Sequence, residues 1–180
     1  MNKIHTGWIL VISAVLIIGN PFLIPAAHGI DVMEGGMAPD FTAMTLDGKK
    51  VALSDFRGKT VFVAFWSSWC SRCKEEIEYM KTLGTKYPEL VFLAVNAESE
   101  NSNHELIARV EQAVRDWEIP FTTLIDDGLK IWDTYKVNAL PTSVIVGADG
   151  NILFAEPNFY WGSAEKIEKA LSGDRLTLLK

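Results

Sequence analysis

Three stretches of this chain are apolar on both faces: Thr60 to Trp66, Leu90 to Val95 and Ser143 to Val146. A strand that buries one face alternates apolar and polar positions. Unbroken apolar runs of this length therefore predict central strands covered on both sides. Between the first two runs, Cys73, Ile77, Met80, Gly84 and Tyr87 recur at spacings of three and four, while Lys74, Glu75, Glu78 and Lys81 fill the opposite face. That spacing predicts an amphipathic helix, stopped by Pro88. Strand, helix and strand form a unit that should be parallel and right-handed.

The remaining pattern extends the same plan. Ser102-Asn103-His104-Glu105 reads as a capping box, followed at helical spacing by Leu106, Val110, Ala113, Val114 and Trp117. Phe121 to Ile125 predicts a strand, Asp126-Asp127-Gly128 a turn and Leu129 to Tyr135 a short helix. After the third apolar run, Ala148-Asp149-Gly150-Asn151 predicts a tight turn that returns Ile152 to Ala155 antiparallel. Ser163 is expected to cap a final helix with Ile167, Ala170 and Leu171 inward. Upstream, Phe41 to Leu46 and Lys49 to Leu53 flank Asp47-Gly48, a strong hairpin signal, and Ser54 to Lys59 reads as a turn. The expected fold is α/β, with a central mixed sheet flanked by helices.

The N-terminus follows different rules. Lys3 and the amino group give a short positive region, and Trp8 to Ile18 is apolar except for Ser13. Asn20-Pro21 interrupts it, and Ala27-His28-Gly29 offers small residues of the kind signal peptidase favours. The run is shorter than the roughly 20 residues of a spanning helix, although Phe22-Leu23-Ile24 brings it close. Residues 1–29 are therefore expected to be a signal peptide or a membrane anchor, with a tether through residues 8–27 in the second case, and residues 30–36 a linker to a domain over 37–180. Either form of the leader places that domain outside the cytoplasm.

Composition narrows the chemistry. A formal charge of −6 without a cluster of Lys and Arg excludes a nucleic-acid surface. The only two cysteines, Cys70 and Cys73, lie two residues apart between a predicted strand and a predicted helix. Such a pair is catalytic or metal-binding. A tetrahedral metal site needs about four ligands, and His104 is the one histidine outside the leader, so no metal is expected. Redox chemistry fits better, because a thiol at a helix N-terminus is stabilised as thiolate. The helix register places Cys73 on the buried stripe and Cys70 before the first turn, where it is free to meet a partner. His104 should be an exposed residue of the next helix.

These elements, in this order, resemble the thioredoxin fold, and more narrowly the TlpA/ResA-like family of exported thiol-disulfide oxidoreductases. The resemblance rests on Ala38-Pro39-Asp40-Phe41, Leu46-Asp47-Gly48-Lys49, Val51 to Lys59, Phe65-Trp66-Ser67-Ser68-Trp69-Cys70, Leu140-Pro141-Thr142 and Asp149-Gly150. It implies a thioredoxin-like fold with an N-terminal β-hairpin extension and no cofactor. It also implies a redox-active Cys70–Cys73 disulfide, with Cys70 as the attacking thiolate and Cys73 as the resolving thiol. Leu140-Pro141 would be a cis peptide that holds a substrate strand, and Trp69 would cover the disulfide from the side. Glu76, one turn beyond Cys73, matches a carboxylate of the ResA-like group and would take the proton from Cys73. Ala64 stands where thioredoxins keep a buried aspartate. Implied partners are protein disulfide substrates, with cytochrome c maturation as one setting, and a membrane electron donor of the DsbD/CcdA kind.

Arg72 departs from the family, where proline or another uncharged residue usually precedes the second cysteine. A guanidinium beside two thiols stabilises thiolate and so raises the reduction potential, unless Glu75 or Glu76 pairs with it. Two other functions share parts of the pattern. A peroxiredoxin-like thiol peroxidase shares the Ala-Pro-Asp-Phe start, with Ser67 where such enzymes want Thr. A non-catalytic thioredoxin-like module would use the cysteines to hold metal or a client. Phe159-Tyr160-Trp161 reads either as a docking surface or as a core cluster.

Overall fold

A computed structural model describes residues 34–98 and 102–178, with side chains described to residue 173. The expectations for residues 1–29, and for most of the linker, lie outside the described residues. The strands are β1 (Thr42–Thr45), β2 (Lys50–Ala52), β3 (Val61–Trp66), β4 (Val91–Asn96), β5 (Thr122–Ile125), β6 (Thr142–Val146) and β7 (Ile152–Pro157). The helices are α1 (Ser71–Lys86), α2 (His104–Asp116), α3 (Lys130–Thr134) and α4 (Trp161–Leu178).

The strands form one mixed sheet in the order β2-β1-β5-β4-β3-β6-β7. The fully apolar β3 is central, parallel to β4 and antiparallel to β6. β1 and β2 pair antiparallel around Asp47-Gly48, and β1 continues the sheet by pairing antiparallel with β5.

Because strand side chains alternate between faces, β3 feeds two cores. Phe62, Ala64 and Trp66 pack with Cys73, Ile77 and Met80 of α1, Val110 of α2 and Ile167 of α4. Val61, Val63 and Phe65 pack on the other face with Phe41, Leu53, Ile131 and Tyr135. Each fully buried aromatic or aliphatic side chain contributes roughly 1.5–3 kcal/mol. This double burial fixes the register of β3, and so fixes where its C-terminal end delivers the following loop.

Three local expectations are corrected. Asn103, not Ser102, caps α2, accepting the Leu106 N–H at 2.9 Å. Glu105 consequently sits too early in the helix to close a capping box. Ser163 lies inside the first turn of α4, where its Oγ accepts the Tyr160 N–H, although Ile167 and Leu171 do face inward. β2 ends at Ala52, so Leu53 leaves the expected strand and opens a 3-10 turn, Leu53–Phe56, in which the Asp55 carboxylate accepts the Ala52 N–H at 2.8 Å, and the expected turn follows to Lys59.

Candidate active site

β3 ends at Trp66, and four residues later Cys70 is the N-cap of α1. The intervening loop is held from the end of β4. Glu98, whose side chain is 3% exposed, accepts the Ser68 N–H at 2.8 Å and the Ser68 hydroxyl at 2.9 Å. The Arg109 Nε–H donates to the same carboxylate at 3.1 Å. Burial opposes the charge on Glu98, but these donors, with Asn96, outweigh it and hold the carboxyl below its ordinary value. Sequence reasoning missed Glu98. Its position just past a buried strand, level with the start of the next loop, was the available signal.

Cys70 and Cys73 are joined by a disulfide. The Cys70 Sγ accepts the Cys73 N–H at 3.1 Å, filling the cap position with sulfur. Where a serine or aspartate would ordinarily satisfy an orphan amide, a thiolate finds both an amide donor and the positive helix end. The expected asymmetry is present but smaller than the sequence suggests. Cys73 is fully buried, whereas Cys70 is only 7% exposed. Trp69 is 70% exposed, so its ring offers a surface beside Cys70 rather than a closed cover.

The peptide Leu140–Pro141 is cis. Its place follows from register: Thr142 pairs with Phe65, so Pro141 stands level with Trp66, where β3 passes into the cysteine loop. Leu140 is partly buried against both cores. The Asn158 N–H donates to the Pro141 carbonyl at 2.7 Å, fastening the β7–α4 connection to this loop.

Glu76 is fully buried on the same stripe of α1 as Cys73. Its Oε1 accepts a short hydrogen bond from the Ser143 hydroxyl, and its Oε2 has no partner among the described residues. Ser143 is paired with Ala64 across the β3–β6 ladder, so the carboxyl lies over the small side chain of Ala64. Burial raises the Glu76 pKa to about 7, against the opposing Ser143 hydrogen bond. Such a group exchanges a proton near neutrality. Ser143 could have been suspected as the one polar residue of the apolar run that ends at Val146.

Arg72 is exposed on the first turn of α1, and among the described residues it forms no ion pair with Glu75 or Glu76. Glu76 points into the core and cannot neutralise it. His104 is exposed at the start of α2. No group of three or more His, Cys, Asp and Glu among the described residues is placed to hold a metal ion.

This geometry has relatives. The AhpC/TSA family model matches residues 35–155. The chain belongs to the AhpC/TSA family. Within it, the chain is 38% identical over 121 residues to a thiol-disulfide oxidoreductase ResA of Bacillus cereus, covering 66% of each chain. The same share holds for several similar ResA proteins, so the match spans just under two thirds of their length. The thioredoxin-like protein YneN of Bacillus subtilis is 30% identical over 151 residues, covering 81% of this chain and 86% of that one. Among solved structures, one described as a thiol:disulfide interchange protein DsbE from Chlorobium tepidum superposes with a TM-score of 0.70 at 26% identity. It covers 79% of this chain and 98% of the other. The AhpC/TSA assignment and these neighbours make the fold thioredoxin-like.

Proposed function

We propose that this protein is an extracytoplasmic thiol-disulfide oxidoreductase, acting as a reductant of protein disulfides. The observation that carries this reading is the Cys70–Cys73 pair at the N-terminus of α1, Cys70 slightly exposed and Cys73 fully buried on the same helix stripe as a carboxyl poised near neutrality. The names of the ResA and DsbE relatives support it.

In the reduced protein, the Cys70 thiolate attacks one sulfur of a substrate disulfide. That bond breaks, a Cys70–substrate disulfide forms, and the first substrate sulfur leaves as thiolate and takes a proton. Cys73 passes its proton toward the Glu76 carboxylate and attacks the Cys70 sulfur. The Cys70–Cys73 bond closes and the second substrate sulfur leaves as thiolate to be protonated in turn. Two electrons and two protons have passed to the substrate. Pro141, Leu140 and Trp69 form the rim against which the substrate chain lies, and Arg72 favours the thiolate.

Regeneration requires a dithiol of matching chemistry, which we assign to a membrane electron donor. The leader of residues 1–29 supports export as a cleaved signal or a tether, with residues 37–180 as the working domain. Cytochrome c maturation is one process that would use such a reductant.

Equilibration with defined ratios of reduced and oxidised glutathione, followed by thiol alkylation and mass spectrometry, tests the reading. A single two-electron transition confined to Cys70 and Cys73 is expected. Rapid consumption of hydrogen peroxide with a thiol donor, without disulfide exchange, would instead assign a peroxidase.

A further inference from the structure

A fully buried acid must exchange its proton through its neighbours, and Glu76 is fully buried. The Ser143 hydroxyl engages Oε1, which leaves Oε2 as the oxygen open to the Cys73 proton. A hydroxyl that donates one hydrogen bond can still accept another. What stands beside Ser143 therefore decides where the proton goes next.

The sheet register supplies that neighbour. Ser143 of β6 is paired directly with Glu156 of β7, as Ile145 is with Phe154 two residues further along. Directly paired residues share one face of a sheet. Ile145 and Phe154 fix which face it is, since both pack in the core with Ile167 of α4. Ser143 and Glu156 thus stand side by side, with Glu76 of α1 over the first and Lys166 of α4 over the second. Cβ atoms of such a pair lie about 4.5–5.5 Å apart, so the longer glutamate side chain spans the gap to the hydroxyl.

Glu156 also reaches water. Its Oε1 accepts from the Lys166 ammonium at 2.6 Å, and the two side chains are 17% and 53% exposed. Both border a surface cleft of about 580 Å³ shared with Glu34 and Lys169. The other oxygen, Oε2, is buried and has no partner among the described residues. A buried acceptor without a donor costs stability, and a proton arriving from Ser143 removes that cost.

We propose that Ser143 and Glu156 form a proton path connecting the buried Glu76 carboxyl to solvent at the β7–α4 edge. The proposal rests on the disulfide-exchange reading above, in which Glu76 takes the Cys73 proton. The Cys73 S–H bond breaks as an O–H bond forms on Glu76 Oε2. A half-turn of the carboxyl about its terminal torsion, which is broad and two-fold, brings that O–H against Ser143. The Ser143 oxygen takes the proton and passes its own to Glu156 Oε2, from which it enters water. No electrons move along the path, and the reverse sequence reloads Glu76 when the disulfide is reduced.

The test mixes oxidised full-length protein into deuterium oxide at about pH 5.5, below the value of about 7 held by Glu76, and follows it by rapid infrared spectroscopy. The carbonyl stretch of protonated Glu76, assigned by its loss in Glu76→Gln, shifts as O–H becomes O–D. Glu156→Gln and Ser143→Ala should each slow that shift at least about 10-fold, and Ser143→Thr should stay within about 3-fold of wild type. Lys166→Ala removes the same ion pair but keeps the Glu156 carboxyl, so it too should stay within about 3-fold. A rate unchanged in Glu156→Gln, or slowed as much by Lys166→Ala as by Glu156→Gln, would overturn the path and leave disulfide exchange standing. Failure of the wild-type Cys70–Cys73 disulfide to exchange with glutathione would overturn both.

Discussion

Replacing Glu76 by Gln isolates the energetics of the buried carboxyl. Glu76 has an ordinary pKa of 4.5 raised to about 7 by burial. Between these values the folded protein binds more protons than the unfolded chain, so stability falls as pH rises. Below about 4.5 both forms hold the proton and no cost remains. Above about 7 the full cost applies. At about 1.4 kcal/mol per pH unit, the interval from 4.5 to about 7 corresponds to about 3 kcal/mol. The substituted amide would keep an oxygen for the Ser143 hydroxyl but would place an unpaired N–H where Oε2 now lies. That costs about 1–3 kcal/mol at every pH. The stability difference between Glu76→Gln and wild type should therefore shift by about 3 kcal/mol in favour of the variant between about pH 4.5 and about pH 8.5. Urea unfolding of both oxidised proteins, followed by tryptophan fluorescence, measures it. A difference that stays flat across this range would refute the reasoning, because it would mean that Glu76 ionises as an ordinary surface carboxylate does.

Other substitutions probe the surroundings. Glu98→Ala removes the acceptor of two Ser68 donors and the partner of Arg109. It should cost about 2 kcal/mol in denaturant unfolding, with faster amide exchange at Ser68 and Trp69. Arg72→Ala should lower the Cys70–Cys73 potential by about 10–20 mV, as expected for an exposed charge favouring the thiolate. Wild type should lie above the thioredoxin reference of about −270 mV. Glutathione titration measures both, and an unchanged potential in the variant would remove Arg72 from the account.

Much of this arrangement was legible in the chain because burial on two faces leaves a continuous signal. The runs at Thr60, Leu90 and Ser143 became the three central strands, and the spacing from Cys73 to Met80 placed one thiol inward. What escaped depends on contacts between distant segments. Spacing places Glu76 one turn beyond Cys73 and the family resemblance gives it a role, but neither shows that it is fully buried. Only the packing of α1 over Ala64 and Ser143 buries it. Glu98 looks like loop polarity until the loop before Cys70 is folded back on it. Helix starts are the least legible feature. Asn103 and Ser102 are competing caps for α2, and Ser163 lies within the first turn of α4 rather than before it. Arg72 could have paired with a neighbouring carboxylate by sequence spacing, but the burial of Glu76 denies it that partner.

The central claim is that Cys70 attacks and Cys73 resolves. Cys73→Ser and Cys70→Ser proteins, full length and reduced, would each be incubated with a disulfide-bridged peptide and analysed by intact mass and peptide mapping. A stable mixed disulfide on Cys70 in the Cys73→Ser protein, with little or none on Cys73 in the Cys70→Ser protein, is the predicted result. An adduct formed only on Cys73, or none on either protein, would contradict it.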